Sequence, residues 1–138
     1  MTELNFDIVV LIETHLKPND DIYLSGYTTL LHNRFNRHIL AKRCFGGIAV
    51  LIKNCLFTHY EISEIDKTVD GVLIFKMKHV ATDYKFMFVA MYLPPERSPW
   101  GRDAEEYFEH VANCIHMHSV EYDTVCMCGD LNARIGNK

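Results

Sequence analysis

Short apolar runs set the rhythm of this chain. They cover Asp7 to Ile12, Tyr27 to Leu31, Gly47 to Lys53, Phe57 to Ile62, Val69 to Lys78, Lys85 to Tyr92 and Thr124 to Cys128. Each has the length and the β-branched or aromatic content of a strand. Ile8-Val9-Val10-Leu11-Ile12 and Ile48-Ala49-Val50-Leu51-Ile52 have no polar face, and in the fifth run Val72 and Ile74 share one face while Leu73, Phe75 and Met77 share the other. Such strands belong in sheets covered on both sides. From about Arg102 to His118 the period changes: Ala104, Phe108, Val111 and Ile115 recur at helical spacing beside Tyr107 and Ala112. Asp103, Glu105 and Glu106 crowd the first turn, where the helix dipole favours anions. The stretch Pro94 to Gly101 holds too much proline for the interior of a strand or helix. Strand, Pro-rich loop, helix and strand therefore follow one another from Lys85 to Cys128 as a βαβ-like unit.

Composition narrows the class. A chain of 138 residues, 49% of them hydrophobic, fits one mixed α/β domain with a substantial core. The formal net charge of -4 gives no broad attraction to nucleic acid, so any contact with a polyanion has to be local. Five cysteines scattered at Cys44, Cys55, Cys114, Cys126 and Cys128 do not form a disulfide framework and point to a reducing, intracellular compartment, nuclear or cytoplasmic rather than secreted. The N-terminus lacks the basic flank of a signal peptide, and no apolar run approaches the roughly 20 residues that span a bilayer. The expected chain is soluble and has no membrane partner.

Candidate chemistry sits at the ends of strands. The first apolar run delivers Glu13, the sixth delivers Tyr92, and the last stops at Gly129 and presents Asp130 and Asn132. Polar side chains at the carboxyl ends of strands are where α/β sheets bind ligands. Glu13 could coordinate a hard divalent cation, which prefers oxygen donors, or serve as an ordinary solvated carboxylate. Asp130 could accept a proton and Asn132 could donate to a phosphate oxygen, or the pair could form an Asx turn. Tyr92 could donate to phosphate or pack as a strand-end aromatic. His32, Arg34, Arg37, His38, Lys42 and Arg43 concentrate cations in an acidic protein, with Phe35 and Asn36 among them, and could contact a nucleic-acid backbone locally or form a solvated loop of incidental charge. His116 and His118 stand two apart on a helix and so do not share a metal; Cys126 and Cys128 lack a second pair at zinc-site spacing.

These blocks, taken in order, resemble the endonuclease/exonuclease/phosphatase superfamily, most closely the endonuclease domains of LINE-type (non-LTR) retrotransposons. Asp7-Ile8-Val9-Val10-Leu11-Ile12-Glu13-Thr14-His15-Leu16 resembles the strand bearing the family's metal-binding glutamate, with Ile12 where glutamine is common. Gly46-Gly47-Ile48-Ala49-Val50-Leu51, Asp70-Gly71-Val72-Leu73-Ile74-Phe75-Lys76 and Val89-Ala90-Met91-Tyr92-Leu93-Pro94-Pro95 resemble the strands that follow. Cys128-Gly129-Asp130-Leu131-Asn132 resembles the Gly-Asp-Phe-Asn block, with Leu131 for phenylalanine. The resemblance implies a four-layer sandwich of two mixed β-sheets flanked by helices, spanning residues 1–138 as a single partial domain. Its implied activity is magnesium-dependent (or manganese-dependent) hydrolysis of DNA phosphodiesters. Glu13 would bind the metal, Tyr92 and Asn132 would contact the phosphate, and Asp130 would orient or deprotonate water. Arg34, Arg37, Lys42 and Arg43 would contact DNA, and a reverse transcriptase domain would share the parent polyprotein. The family's metal-site asparagine should precede Asp7 and its Asp-His segment should follow Lys138, so the expected domain is incomplete at both ends. A non-catalytic remnant or interaction module, or another phosphoesterase of the same fold, is the alternative.

Overall fold

The computed structural model describes residues 5–33, 46–95 and 104–132. Strands β1 (Ile8–Ile12), β2 (Tyr27–His32) and β3 (Ile48–Lys53) form one antiparallel sheet in the order β1-β3-β2. A second sheet has the order β4-β5-β6-β7, built from β4 (Tyr60–Asp66), β5 (Val72–His79), β6 (Lys85–Tyr92) and β7 (Thr124–Asp130). Helix α1 (Ala104–His118) joins β6 to β7, which run parallel, so the predicted βαβ unit is present. The fold is mixed α/β with two sheets face to face. The apolar runs therefore become strands because each can bury side chains on the sheet surfaces, as their two-sided patterning requires.

The second sheet is the middle layer. On one face, Val72, Ile74, Met87, Val89 and Met91 pack with Tyr107, Val111 and Cys114 of α1. On the other, Leu73, Phe75, Met77, Ala90 and Tyr92 pack with Ile48, Val50 and Ile52 of β3. The alternation of Val72 and Ile74 against Leu73, Phe75 and Met77 thus separates the two cores as expected. Phe75 and Phe88 face each other across β5 and β6 with stacked rings 4.9 Å apart, an arrangement that adds about 0.5–1.5 kcal/mol to the burial of the rings. Of the four layers implied by resemblance, the described residues show three: sheet, sheet and helix. None of the described helices is long and apolar enough to cross a membrane.

Two strands start three residues later than their patterns predict: β5 begins at Val72, because Val69, Asp70 and Gly71 form a turn in which the Val72 amide donates to the Val69 carbonyl, and β4 is displaced as well. Phe57 and Thr58 lie in a 3-10 turn, Asn54–Thr58, and β4 begins at Tyr60. The chain turns there between the two sheets, and the His59 amide and Thr58 hydroxyl close the turn on the carbonyls of Leu56 and Cys55. Tertiary reversal overrides the strand propensity of the two residues. At its other end β4 runs on to Asp66 through a bulge: Glu64 pairs with Phe75, and Asp66 pairs with the adjacent Ile74.

Gly129 is fixed by crowding. Its φ is +145°, and a Cβ there would overlap the Met91 carbonyl oxygen of β6. Only glycine lets β7 lie against β6 at this point, immediately before Asp130. Gly129→Ala is expected to lower stability by about 2 kcal/mol or more, combining backbone strain with displacement of β7, as measured by urea unfolding. Wild-type stability in that variant would show that β7 does not make this close approach.

Candidate active site

Three strand ends converge. Because β6 and β7 are parallel and in register, Tyr92 is paired with Asp130 at the carboxyl end of both. Residues paired in this way share a sheet face, and Tyr92 faces the other sheet within the core between the two. From across that core, Glu13 follows directly on β1, which lies against both β6 and β7. The Tyr92 hydroxyl donates to Glu13 Oε1. The predicted Glu13, Tyr92 and Asp130 are thereby brought to one rim of the sandwich.

The rim holds its backbone in an uncommon conformation. Glu13, His15 and Asn132 have φ of 54°, 54° and 46°, values that cost a non-glycine residue roughly 1–2 kcal/mol, with Asn the most tolerant. A hydrogen bond to a charged group contributes about 1.5–3 kcal/mol, so the Tyr92–Glu13 bond is large enough to offset the strain at Glu13. Thr14 and His15 are tied to the two residues that precede β3, their backbone N–H groups donating to the carbonyls of Gly47 and Gly46. A Cβ on Gly47 would collide with the Thr14 hydroxyl, and that buried Oγ1 has no hydrogen-bond partner among the described residues.

Asn132 is committed to the loop. Its backbone N–H donates to Asp130 Oδ1 at 2.8 Å, and its side-chain Nδ2 donates to the Leu93 carbonyl at 2.9 Å. The Asx-turn alternative is therefore realised. In this conformation the Asn132 amide joins the loop after β7 to the end of β6, while orienting one oxygen of Asp130. Leu93 returns the link, its N–H donating to the Asp130 carbonyl at 3.0 Å.

Arg34, Arg37, Lys42 and Arg43 lie outside the described residues. His32, counted with them as a cation for phosphate contact, is 3% exposed. Its Nδ1 donates to the Val72 carbonyl at 2.8 Å and its Nε2 is 3.8 Å from Asp70 Oδ1. It thus joins the two sheets from within, as the last residue of β2, and is not available as a surface cation. A small cleft lined by His32, Gly46, Gly47, Asp70, Gly71 and Tyr92 opens beside it. Sequence alone did not bring His32 and Asp70 to this cleft, because they meet only when the two sheets pack.

A second cluster, on the opposite face of the middle sheet, escaped the sequence reading altogether. Asp66, His110 and Cys114 place a carboxylate oxygen, a ring nitrogen and a thiol against one another. Burial pushes the Cys114 thiol up to about 11, and the hydrogen bond and charge of Asp66 push the same way. Burial alone would raise the Asp66 carboxyl, but donors from Thr68 and Cys114, with the nearby His110, hold it below the usual carboxylate range. The available signal was the spacing of four between His110 and Cys114 on a predicted helix.

Tyr92→Phe keeps the ring in the core and deletes the bond to Glu13. Its expected cost is about 1–2 kcal/mol in urea unfolding, reduced by the hydration that the exposed Glu13 carboxylate regains. A Glu13→Gln, Tyr92→Phe double-mutant cycle with zero coupling would remove the bond from the account. Comparison with protein-family models finds none that matches this chain, and no curated protein matches it.

Proposed function

We propose that this chain is a metal-dependent endonuclease domain that hydrolyses DNA phosphodiester bonds, of the target-nicking type implied by its resemblance to retrotransposon endonucleases. The observation that carries the reading is the Tyr92–Glu13 bond across the two sheets, with Asp130 in register beside Tyr92. It supports a site because a phenol and a carboxylate end the parallel strands β6 and β7 and meet a second carboxylate from the end of β1 on the other sheet, and left-handed backbone at Glu13 and Asn132 marks the same rim.

The donors present fit magnesium. Glu13 and Asp130 are exposed carboxylates, and the buried hydroxyl of the adjoining Thr14 has no partner among the described residues; hard cations of this size take one or two carboxylates and keep positions for water and substrate phosphate. When bound at Glu13, the ion supplies Lewis-acid polarisation of a phosphate oxygen and neutralises charge on the phosphate. Tyr92 holds Glu13 in place through its hydroxyl. Asp130, with one oxygen fixed by the Asn132 N–H, is the acceptor for the proton of an attacking water. Attack in line with the bond from phosphorus to the 3′ oxygen would break that bond, and the leaving oxygen, protonated by solvent, would become a 3′ hydroxyl able to prime synthesis. Asn132 acts by positioning Asp130, since its own amide serves Leu93.

DNA is favoured over smaller phosphate esters by the cations Arg34, Arg37, Lys42 and Arg43. In the sequence these cations fall between His32 and Gly46, two residues that line the cleft. The test is nicking of supercoiled plasmid by the purified chain. Activity is expected to require magnesium, to stop with chelator, and to fall by about 100-fold or more in Asp130→Ala and Glu13→Gln. A folded sample that leaves plasmid intact would overturn the reading in favour of a non-catalytic module; cleavage of small phosphate esters alone would move it to another phosphoesterase class.

A further inference from the structure

The middle sheet turns a different set of ligands toward the helix. His110 and Cys114 are four residues apart on α1, so their side chains share a helix face. Asp66 joins them only because of the bulge in β4. Regular alternation would place Asp66 on the same face as Tyr60 and Ile62, toward the other sheet; the shift from Glu64↔Phe75 to Asp66↔Ile74 puts it on the face of Ile74, toward α1. Re-aiming one side chain is what a bulge does.

The resulting triangle is closed on all three sides. Asp66 Oδ2 is 3.2 Å from His110 Nε2 and 3.1 Å from Cys114 Sγ, and the nitrogen and sulfur are 3.5 Å apart. A tetrahedral zinc ion with bonds of about 2.3 Å to sulfur and about 2.0–2.1 Å to nitrogen and oxygen separates its ligand atoms by roughly 3.3–3.6 Å. The nitrogen–sulfur side falls in that range, and the two sides to Asp66 are shorter by about 0.1–0.4 Å, so an ion is seated by a small outward shift of that carboxylate. We propose that Asp66, His110 and Cys114 form a zinc site that clips the edge strand β4 to α1.

The donor set selects the metal. Sulfur, imidazole nitrogen and one carboxylate suit borderline-soft zinc and are poor for magnesium, so this site is distinct from the oxygen donors at Glu13 and Asp130. It also lies on the other face of the middle sheet. Cys114 is 4% exposed, whereas the His110 and Asp66 side chains are 28% and 17% exposed. The fourth position therefore opens beside His110 and Asp66, where water completes the shell. Binding replaces the S–H bond of Cys114 with a sulfur–zinc bond and releases that proton to solvent; no oxidation state changes.

The experiment uses cobalt as a spectroscopic probe and needs no nucleic acid. The chain, stripped with chelator and dialysed, is titrated with Co²⁺. A single equivalent is expected to produce a near-ultraviolet sulfur-to-cobalt charge-transfer band with the visible bands of four-coordinate cobalt, and Zn²⁺ is expected to bleach both. Cys114→Ser should lose the charge-transfer band. His110→Ala and Asp66→Asn, with native circular dichroism, should weaken binding by at least about 10-fold, since disturbing outer partners alone costs about 10–100-fold. Zinc should raise the melting temperature of wild type and of Glu13→Gln but not of Cys114→Ser. Absence of the band in folded wild type, or its persistence in Cys114→Ser, would overturn the assignment and leave a hydrogen-bonded triad.

Discussion

Everything in this fold hangs on a sheet that is apolar on both faces. Val72, Ile74, Met87 and Val89 look toward α1 while Leu73, Phe75 and Ala90 look toward the first sheet, and all of them are essentially removed from water. Fully burying a side chain of this kind contributes about 1.5–3 kcal/mol relative to exposure, and the contribution is made on both sides at once. The helix and the first sheet are thus held by the same two strands, β5 and β6. The middle sheet carries Tyr92 and Asp130 toward Glu13 on one face and Asp66 toward His110 and Cys114 on the other.

That arrangement explains how polar groups can be placed with so little surrounding structure. Tyr92 ends a strand whose body is locked in the core, so its hydroxyl reaches Glu13 from a rigid base. Asp130 borrows the same rigidity through its pairing with Tyr92 and through the mutual bonds of Leu93, Asp130 and Asn132. On the helix side, Asp66 depends on the bulge and Cys114 on the packing of α1. In each case side chains carried by separate segments are brought to one place by packing between strands, sheets or helix, and none of the separate segments could hold them alone.

The legibility of the site follows the same division. Glu13, Tyr92 and Asp130 were readable because each stands at the end of an apolar run, where a buried strand must give way to a polar rim. Asn132 was readable as a candidate, but its partner could not be chosen: the Leu93 carbonyl lies 39 residues away along the chain. His32 read as one cation in a basic segment and is instead buried, because β2 extends through it and the Val72 carbonyl and Asp70 carboxylate stand opposite, at the start of β5 and in the turn before it. The Asp66 triad was not readable, since a separation of 44 positions between Asp66 and His110 follows no spacing rule and the bulge that unites them leaves no period in the sequence.

What the amino-acid sequence determined by itself was local: which runs are strands, which one segment is a helix, and that β5 must have both faces covered. These follow from side-chain periodicity, a property of neighbours along the chain. Tertiary structure decided the rest: the order β1-β3-β2 beside β4-β5-β6-β7, the turn that displaced the start of β4, and every contact between Glu13 and Tyr92 or between Asp66 and Cys114. The physical reason is that hydrophobic burial is non-directional. It states which faces must leave water, and only the packed geometry of whole sheets determines which polar ends then meet.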